Sequence, residues 1–221
     1  MNDHLIIVAG GIGSRMGTAL PKQFLEVAGR PIILRTIDTF YKWNPNLNIV
    51  VVMNAEFIQL WDEVVEQFGL EPKVQVVEGG RERFHSVQNG LKAIKEDTGV
   101  IAIHDAVRPF VSEECIERCV HKAREKGNAI PVVSLVESIR QLDPAGSSSV
   151  DRSQFRIVQT PQCFDAKLIQ DAYQQEFDSS FTDDASVAEK MGIGINLVDG
   201  NVENIKITNS SDLAFAEMLV S

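Results

Sequence analysis

The stretch LIIVAGGIGSRMG, Leu5 to Gly17, decides the fold. Leu5–Ala9 is apolar without alternation and stops at glycine, as a strand buried on both faces of a parallel sheet does. Four glycines, Gly10, Gly11, Gly13 and Gly17, follow with the cation Arg15 among them. A glycine-rich loop at the carboxyl end of such a strand exposes backbone N–H groups that converge on anionic oxygens. Arg15 adds a fixed fork of donors suited to phosphate. Two familiar phosphate loops fail on spacing. Gly17 falls one residue late for G-x-G-x-x-G, and no acidic residue ends the next strand; no lysine follows the glycines as a P-loop requires.

Working outward, buried strands are predicted at Asn48–Met53, Val74–Val77, Val100–His104 and Ala129–Val133, with a late strand at Ile195–Val198. Helical spacing marks Pro31–Phe40, the stripe Phe57, Trp61, Val64, Val65 and Phe68, and then Ser86–Ile94, Cys115–Lys126, Ala166–Phe177, Thr182–Met191 and Ser210–Val220. This alternation predicts an α/β fold, a doubly wound, mostly parallel sheet. The pattern breaks after Val133. Leu135–Leu142 alternates polar and apolar residues, Asp143–Ser149 is a turn cluster, and Val150–Val158 returns with strand character. Residues 135–158 therefore read as a projecting β-hairpin arm on a single domain spanning 1–221. A lone hairpin is marginal in water, so the arm is expected to pack on a second copy, making a homodimer.

Composition narrows the function. The 221 residues carry a formal net charge of −10, which disfavours a nucleic-acid partner while allowing a local cationic pocket. Cys115, Cys119 and Cys163 include no CxxC; Cys115 and Cys119, four apart on one helix face with no histidine at matching spacing, are read as half-buried thiols rather than metal ligands. Leu5–Ala9 is too short for a signal peptide or membrane span. The expectation is a cytoplasmic protein without membrane contact.

Two further strand ends join the glycine loop. HDAVRPF, His104–Phe110, brings Asp105, an oxygen ligand suited to Mg²⁺ accompanying phosphates, and the anion receptor Arg108. EGGRERFHS, Glu78–Ser86, ends the third strand; its Glu78–Arg83 part is read as a loop in which Gly79 and Gly80 permit close approach of a flat base, and Ser86 offers a hydroxyl. LPKQF, Leu20–Phe24, adds Lys22. Ligands of open α/β sheets bind outside the carboxyl ends of the strands, so these loops should share one site. His104 and His85 are given no chemical role; His104 reads as a satisfied structural histidine.

In order from Ala9 to Thr208, AGGIGSRMG, LPKQF, GGRERFHS, HDAVRPF, QTPQ, FTDDAS and NIKIT resemble the methylerythritol phosphate cytidylyltransferase family. The resemblance implies a Rossmann-like nucleotidyltransferase fold and an enzyme joining CTP to 2-C-methyl-D-erythritol 4-phosphate with release of pyrophosphate, in non-mevalonate isoprenoid synthesis. It implies that Ala9, Gly10, Gly11 and Gly13 cradle the triphosphate, with Arg15, Lys22 and Lys206 as catalytic cations. Gly80 and Ser86 would read cytosine, with Ala106 near the ribose. Asp105, Arg108, Thr160, Thr182 and Lys206 would hold the acceptor, a sugar-alcohol phosphate. Ser138, Arg140 and Arg152 would reach the neighbouring subunit's acceptor. Mg²⁺ is the implied cofactor, with Asp105 its ligand. Arg83 matches a family arginine without a settled role. Arg81 stands where aspartate is common, and Ser138 and Arg140 replace a common threonine and lysine. The glycine loop is also similar to that of the ribitol 5-phosphate cytidylyltransferases, which leaves that acceptor as the alternative.

Overall fold

β1 (His4–Ala9) pairs with a strand on each edge, and every residue but the half-buried Val8 is buried. The computed structural model describes residues 3–11, 20–72, 74–95, 99–144 and 146–220; Gly13 and Arg15 lie outside the described residues. After β1 come two short strands, β2 (Glu26–Val27) and β3 (Arg30–Pro31), then α1 (Ile32–Trp43), β4 (Asn48–Met53), α2 (Ile58–Phe68), β5 (Gln75–Glu78), α3 (Arg83–Ala93) and β6 (Val100–Asp105). The chain continues through α4 (Glu113–Lys126), β7 (Asn128–Ser134), β8 (Arg140–Asp143), β9 (Gly146–Ser149), β10 (Arg156–Val158) and β11 (Gln162–Asp165). It ends with α5 (Ala166–Ala172), α6 (Asp184–Lys190), β12 (Leu197–Asp199) and α7 (Ser210–Val220).

The main sheet runs β5-β4-β1-β6-β11-β7-β10, with β12 also on β7. β5, β4, β1 and β6 are mutually parallel, in keeping with their continuous apolar runs. Successive residues of β1 face opposite sides. Leu5, Ile7 and Ala9 join a core with residues of α1, α2 and α4, while Ile6 joins one with residues of α3, α5 and α6. Helices on both faces make the doubly wound architecture expected from the sequence. The chain moves outward from β1 to β4 and β5, then crosses back to place β6 on the other side of β1. That reversal opens a crevice at the carboxyl ends of β1 and β6.

Local chemistry sets the helix ends. Ser112 caps α4 by accepting from the Cys115 amide (3.1 Å), and Gly127, at φ 87°, closes it. Asp183 and Ser186 form a reciprocal capping box at α6.

Several expectations are corrected. β11 was not foreseen; it inserts antiparallel between β6 and β7, so the sheet is mixed on that side. The turn cluster at Asp143–Ser149 contains a strand, β9, which pairs with β8. Of Leu135–Leu142 only the end is strand, and Val150–Val158 does not return along the arm. It forms a 3₁₀ turn at Arg152–Gln154 and then β10, which pairs with β7 of the main sheet. The loop expected at Glu78–Arg83 is shorter at both ends: Glu78 completes β5, and α3 starts at Arg83, three residues before the expected Ser86. α5 stops at Ala172, short of Phe177. Cys115 and Cys119 are fully buried rather than half-buried, and Cys163 on β11 is buried with them.

Candidate active site

The carboxyl ends of β1, β5 and β6 surround a cavity of about 330 Å³. Ala9, Gly10, Gly11, Lys22, Gly80, Ser86, Asp105, Ala106 and Lys206, all expected at the site, line it. Backbone pairing explains the convergence. Val8 is registered with Asp105 on β6, Ala9 with Met53 on β4, and the Ala106 amide donates to the Val8 carbonyl (3.2 Å).

Lys22 begins a 3₁₀ turn directly after Pro21. The turn is held to β1 by the buried Gln23, whose Nε2 donates to the Ala9 carbonyl (2.9 Å). Gln23 also lines the cavity and was missed, although it lies inside the LPKQF motif. Lys206 is brought in from the far end of the chain. The neighbouring Ile207 is buried against Val27, Ile32, Val107 and Ala216, and its amide donates to the Val107 carbonyl (3.0 Å).

Gly80 has an intramolecular reason to be glycine. A Cβ there would lie 2.3 Å from His85 Cβ and 2.9 Å from the His85 carbonyl carbon, so a side chain would force the loop off α3. Ser86 Oγ accepts from the Gly80 amide (3.1 Å) and donates to the Glu82 carbonyl (3.2 Å), fixing that loop on the first turn of α3. Arg81 extends into solvent at the rim with 90% of its side chain exposed, 3.9 Å from Glu82.

Asp105 is the charge centre. Arg108 Nε donates to its Oδ2 (3.0 Å), and Lys206 Nζ lies 3.1 Å from the same oxygen. Burial alone would raise this carboxyl, but Lys206, Arg83 and Arg108 hold it well below the usual carboxylate range. Arg108 faces a second groove beside Lys206 rather than the first cavity, and its Nη1 donates to the Asn204 carbonyl (2.8 Å). Thr160 lies behind this cluster, buried, and lines neither space.

Arg83 also lines the cavity, and α6 holds it in place. Its Nη1 and Nη2 donate to the two carboxylate oxygens of the fully buried Asp184 (2.8 and 2.6 Å). Tyr173 Oη donates to Asp184 Oδ1 (2.6 Å). Burial would lower the Arg83 guanidinium, but the Asp184 carboxylate keeps it above its ordinary value. Asp184 was not foreseen; its only signal was its place in FTDDAS. Thr182, from the same motif, is exposed and lines no part of the cavity; its amide donates to Ser186 Oγ (3.0 Å).

Arg140 in β8, Ser138 just before it and Arg152 in the 3₁₀ turn do not line this cavity. Arg140 donates to Ser147 Oγ and its carbonyl (2.7 and 2.8 Å), and Arg152 donates to the Val136 carbonyl. His104 is fully buried; burial pushes its imidazole down to about 4, leaving it neutral.

The chain matches the family described as IspD: 2-C-methyl-D-erythritol 4-phosphate cytidylyltransferase across residues 4–221. It belongs to that family. A Bacteroides fragilis protein with the same name is 48% identical over 215 residues, covering 97% of this chain and 98% of that protein. A Phocaeicola vulgatus protein of that name is 46% identical over 220 residues, with full coverage of both. Among solved structures, the 4-diphosphocytidyl-2C-methyl-D-erythritol synthase of Anaerococcus prevotii superposes with a TM-score of 0.84 at 28% identity, covering 99% of this chain and 96% of that one. The Francisella tularensis IspD superposes with a TM-score of 0.82 at 28% identity, covering 99% of each. The cavity of this IspD-family chain thus sits in a cytidylyltransferase fold, and the protein is a nucleotidyltransferase.

Proposed function

We propose that the cavity joins CTP to 2-C-methyl-D-erythritol 4-phosphate, giving 4-diphosphocytidyl-2-C-methyl-D-erythritol and pyrophosphate on the non-mevalonate route to isoprenoid precursors. The observation that carries this reading is the meeting of Lys22, Lys206, Arg83 and Asp105 with the backbone of Ala9–Gly11 in one crevice of an IspD-family fold. An oxygen of the acceptor phosphate forms a bond to the α-phosphorus while the bond to the bridging oxygen breaks, and the electron pair leaves with pyrophosphate. A phosphate monoester is largely ionised at neutral pH, so no side chain has to remove a proton.

The difficulty is bringing two anions together. Gly10 and Gly11 give the triphosphate backbone amides without steric cost, and Lys22 places positive charge where charge builds on the α-phosphoryl oxygens. Arg15 and Gly13 extend that cradle in this reading. Gly80, held by Ser86, forms the base-facing wall, with Ala106 toward the ribose. Asp105 orients Lys206 and Arg108 on the acceptor side. In-line alignment of the bound reactants lowers the barrier by up to about 7–11 kcal/mol in favourable systems. Mg²⁺ supplies positive charge on the phosphate oxygens when bound. Asp105, which lines the cavity and is held ionised by its cationic neighbours, would be its protein ligand.

The protein works, in this reading, as a cytoplasmic homodimer. Ser138, Arg140 and Arg152 on the arm, residues 135–158, reach the partner's acceptor site, with Thr160 and Thr182 nearby on the acceptor side. No helix among the described residues is long and apolar enough to cross a membrane. Pyrophosphate release from CTP, measured side by side with methylerythritol 4-phosphate and ribitol 5-phosphate, tests the reading. Turnover with the first is expected; turnover with ribitol 5-phosphate alone would replace it.

A further inference from the structure

The segment that brings Lys22 to the cavity runs on into a tight hairpin, and the last helix of the chain closes it. β2 and β3 pair Val27 with Arg30, so Ala28 and Gly29 form a two-residue turn. Both have positive φ, 46° and 71°, as a type I′ turn requires. Gly29 adopts that backbone freely. Ala28 does not, because a Cβ in the left-handed region crowds the following carbonyl. It is the one non-glycine residue with positive φ among the described residues.

Two side chains hold it there. The Ala28 amide donates to both carboxylate oxygens of Glu217 on α7, 3.0 Å from each. Arg35 on α1 donates from Nε to the Val27 carbonyl (2.5 Å) and from Nη2 to the Ala28 carbonyl (2.9 Å). α7 is itself anchored. Ala216, beside Glu217, is wholly buried with Val27 and Ile32, and Asp212 Oδ2 accepts from the amides of Thr208 and Asn209 (2.7 and 3.0 Å). The outgoing strand β3 has its own ties, since Arg30 donates to both carboxylate oxygens of Asp38 and to the Phe68 carbonyl. The incoming strand leads back to Lys22 through short-range bonds. The Leu25 carbonyl accepts from the Ile32 amide (2.9 Å), and the Leu25 amide donates to the Lys22 carbonyl (3.2 Å).

We propose that Glu217 is a positioning residue: it holds Ala28 in the left-handed turn and, through the incoming strand, sets where Lys22 stands. The C-terminal helix would thus serve catalysis although no residue of it lines the cavity. The proposal rests on the reading of Lys22 given above. Without the carboxylate, Ala28 relaxes toward negative φ, the turn opens, β2 shifts against β3, and the 3₁₀ turn that begins at Lys22 moves with it. Both substrates still bind. What is lost is charge placed for the transition state, so the effect falls on kcat.

Glycine at position 28 takes the left-handed backbone without help, and this supplies the test. Glu217→Ala should lower kcat by about fivefold to tenfold while both KM values stay within about twofold. Glu217→Gln keeps an acceptor oxygen and should remain within about twofold of wild type. Adding Ala28→Gly to Glu217→Ala should bring kcat back to within about twofold of wild type. Amide exchange read by NMR is independent of activity: the Ala28 amide should exchange about tenfold faster or more in Glu217→Ala than in wild type. Unchanged exchange would show that Glu217 does not hold the turn. Faster exchange with unchanged kcat would show that the turn does not set Lys22. A loss of kcat that Ala28→Gly leaves uncorrected would assign Glu217 to the stability of α7 alone. Each of these overturns the proposal. Should Glu217→Ala not fold, Ala28→Val, which keeps the carboxylate but opposes the left-handed backbone, should show the same loss of kcat, and its absence would overturn the proposal equally. Unchanged turnover in Lys22→Ala would instead remove the reading of Lys22, and the exchange at Ala28 would still judge the clamp.

Discussion

Arg83 enters the cavity with its far end already matched by Asp184, so two nitrogens of the guanidinium are engaged before any ligand arrives. The pair is buried on the carboxylate side and 30% exposed on the arginine side. Asp184→Ala would leave Arg83 and the Tyr173 hydroxyl without their shared acceptor. Removing one partner of such a pair costs about 3 kcal/mol, read as a lowered urea midpoint at unchanged slope. Tyr173→Phe leaves the ion pair and should cost about 1 kcal/mol in the same assay. Gly80→Ala acts differently. Its Cβ meets backbone as well as side chain of His85, so the loop must move away from α3. The CTP KM should rise by about tenfold or more, while the acceptor KM changes little. The thiols give a third residue-level expectation. A hydrogen bond from Cys119, and then burial, push the Cys115 thiol up, and Cys119 and Cys163 are equally enclosed. Native protein should therefore resist iodoacetamide at mildly alkaline pH and react at all three cysteines once unfolded; rapid labelling of the native state would contradict this packing.

Between elements, the contact of α3 with β1 and β4 matters most for the site, because α3 carries both Arg83 and Ser86. Gly90 lets that helix approach: a Cβ there would lie 2.9 Å from both Ile6 Cγ2 and Val52 Cγ2. Gly90→Val should push α3 off the sheet, destabilise the fold by about 1–3 kcal/mol and weaken CTP binding together with it, measurable by thermal melting and calorimetry. What the sequence revealed, and what it hid, follows the same division. β1, β4 and β6 were legible because burial on two faces demands a continuous apolar run. β11 was not, since QCFD is short and half polar, and its strand conformation comes from the neighbours β6 and β7. The serines of β9 have turn composition and become strand because β8 supplies a ladder. At the site, glycines and cations were legible as loop chemistry. The hydrogen bonds that tie Thr160 to His104 and to Asn204 behind it were not, because they join residues 56 and 44 positions apart that no local pattern links.

At the scale of the whole molecule, a protein of net charge −10 concentrates cations in one crevice and leaves apolar side chains uncovered elsewhere. Val136 is 76% exposed, and Leu142, Phe155, Ile157, Leu197 and Val202 are exposed on the arm and the neighbouring sheet edge. A groove of about 700 Å³ lined by Val133, Val136, Ile157 and Val202 runs up to Arg108 and Lys206. Arg140 and Arg152 do not line the cavity of their own chain. These features support the proposed dimer, in which each arm completes the other subunit's acceptor site, and they give it a quantitative consequence. Lys22→Ala disables the pocket of its own chain, and Arg152→Ala disables the arm it lends. In a mixed dimer, one site combines both lesions and the other combines neither. Random mixing of equal amounts makes about half the dimers mixed, each with one sound site of two, so recovered activity should reach about a quarter of wild type. Each variant alone should stay near its own residual rate, and sedimentation should report dimers throughout. Activity that never exceeds the mean of the two parents, in dimers shown by mass to contain both chains, would mean that each chain builds its site alone.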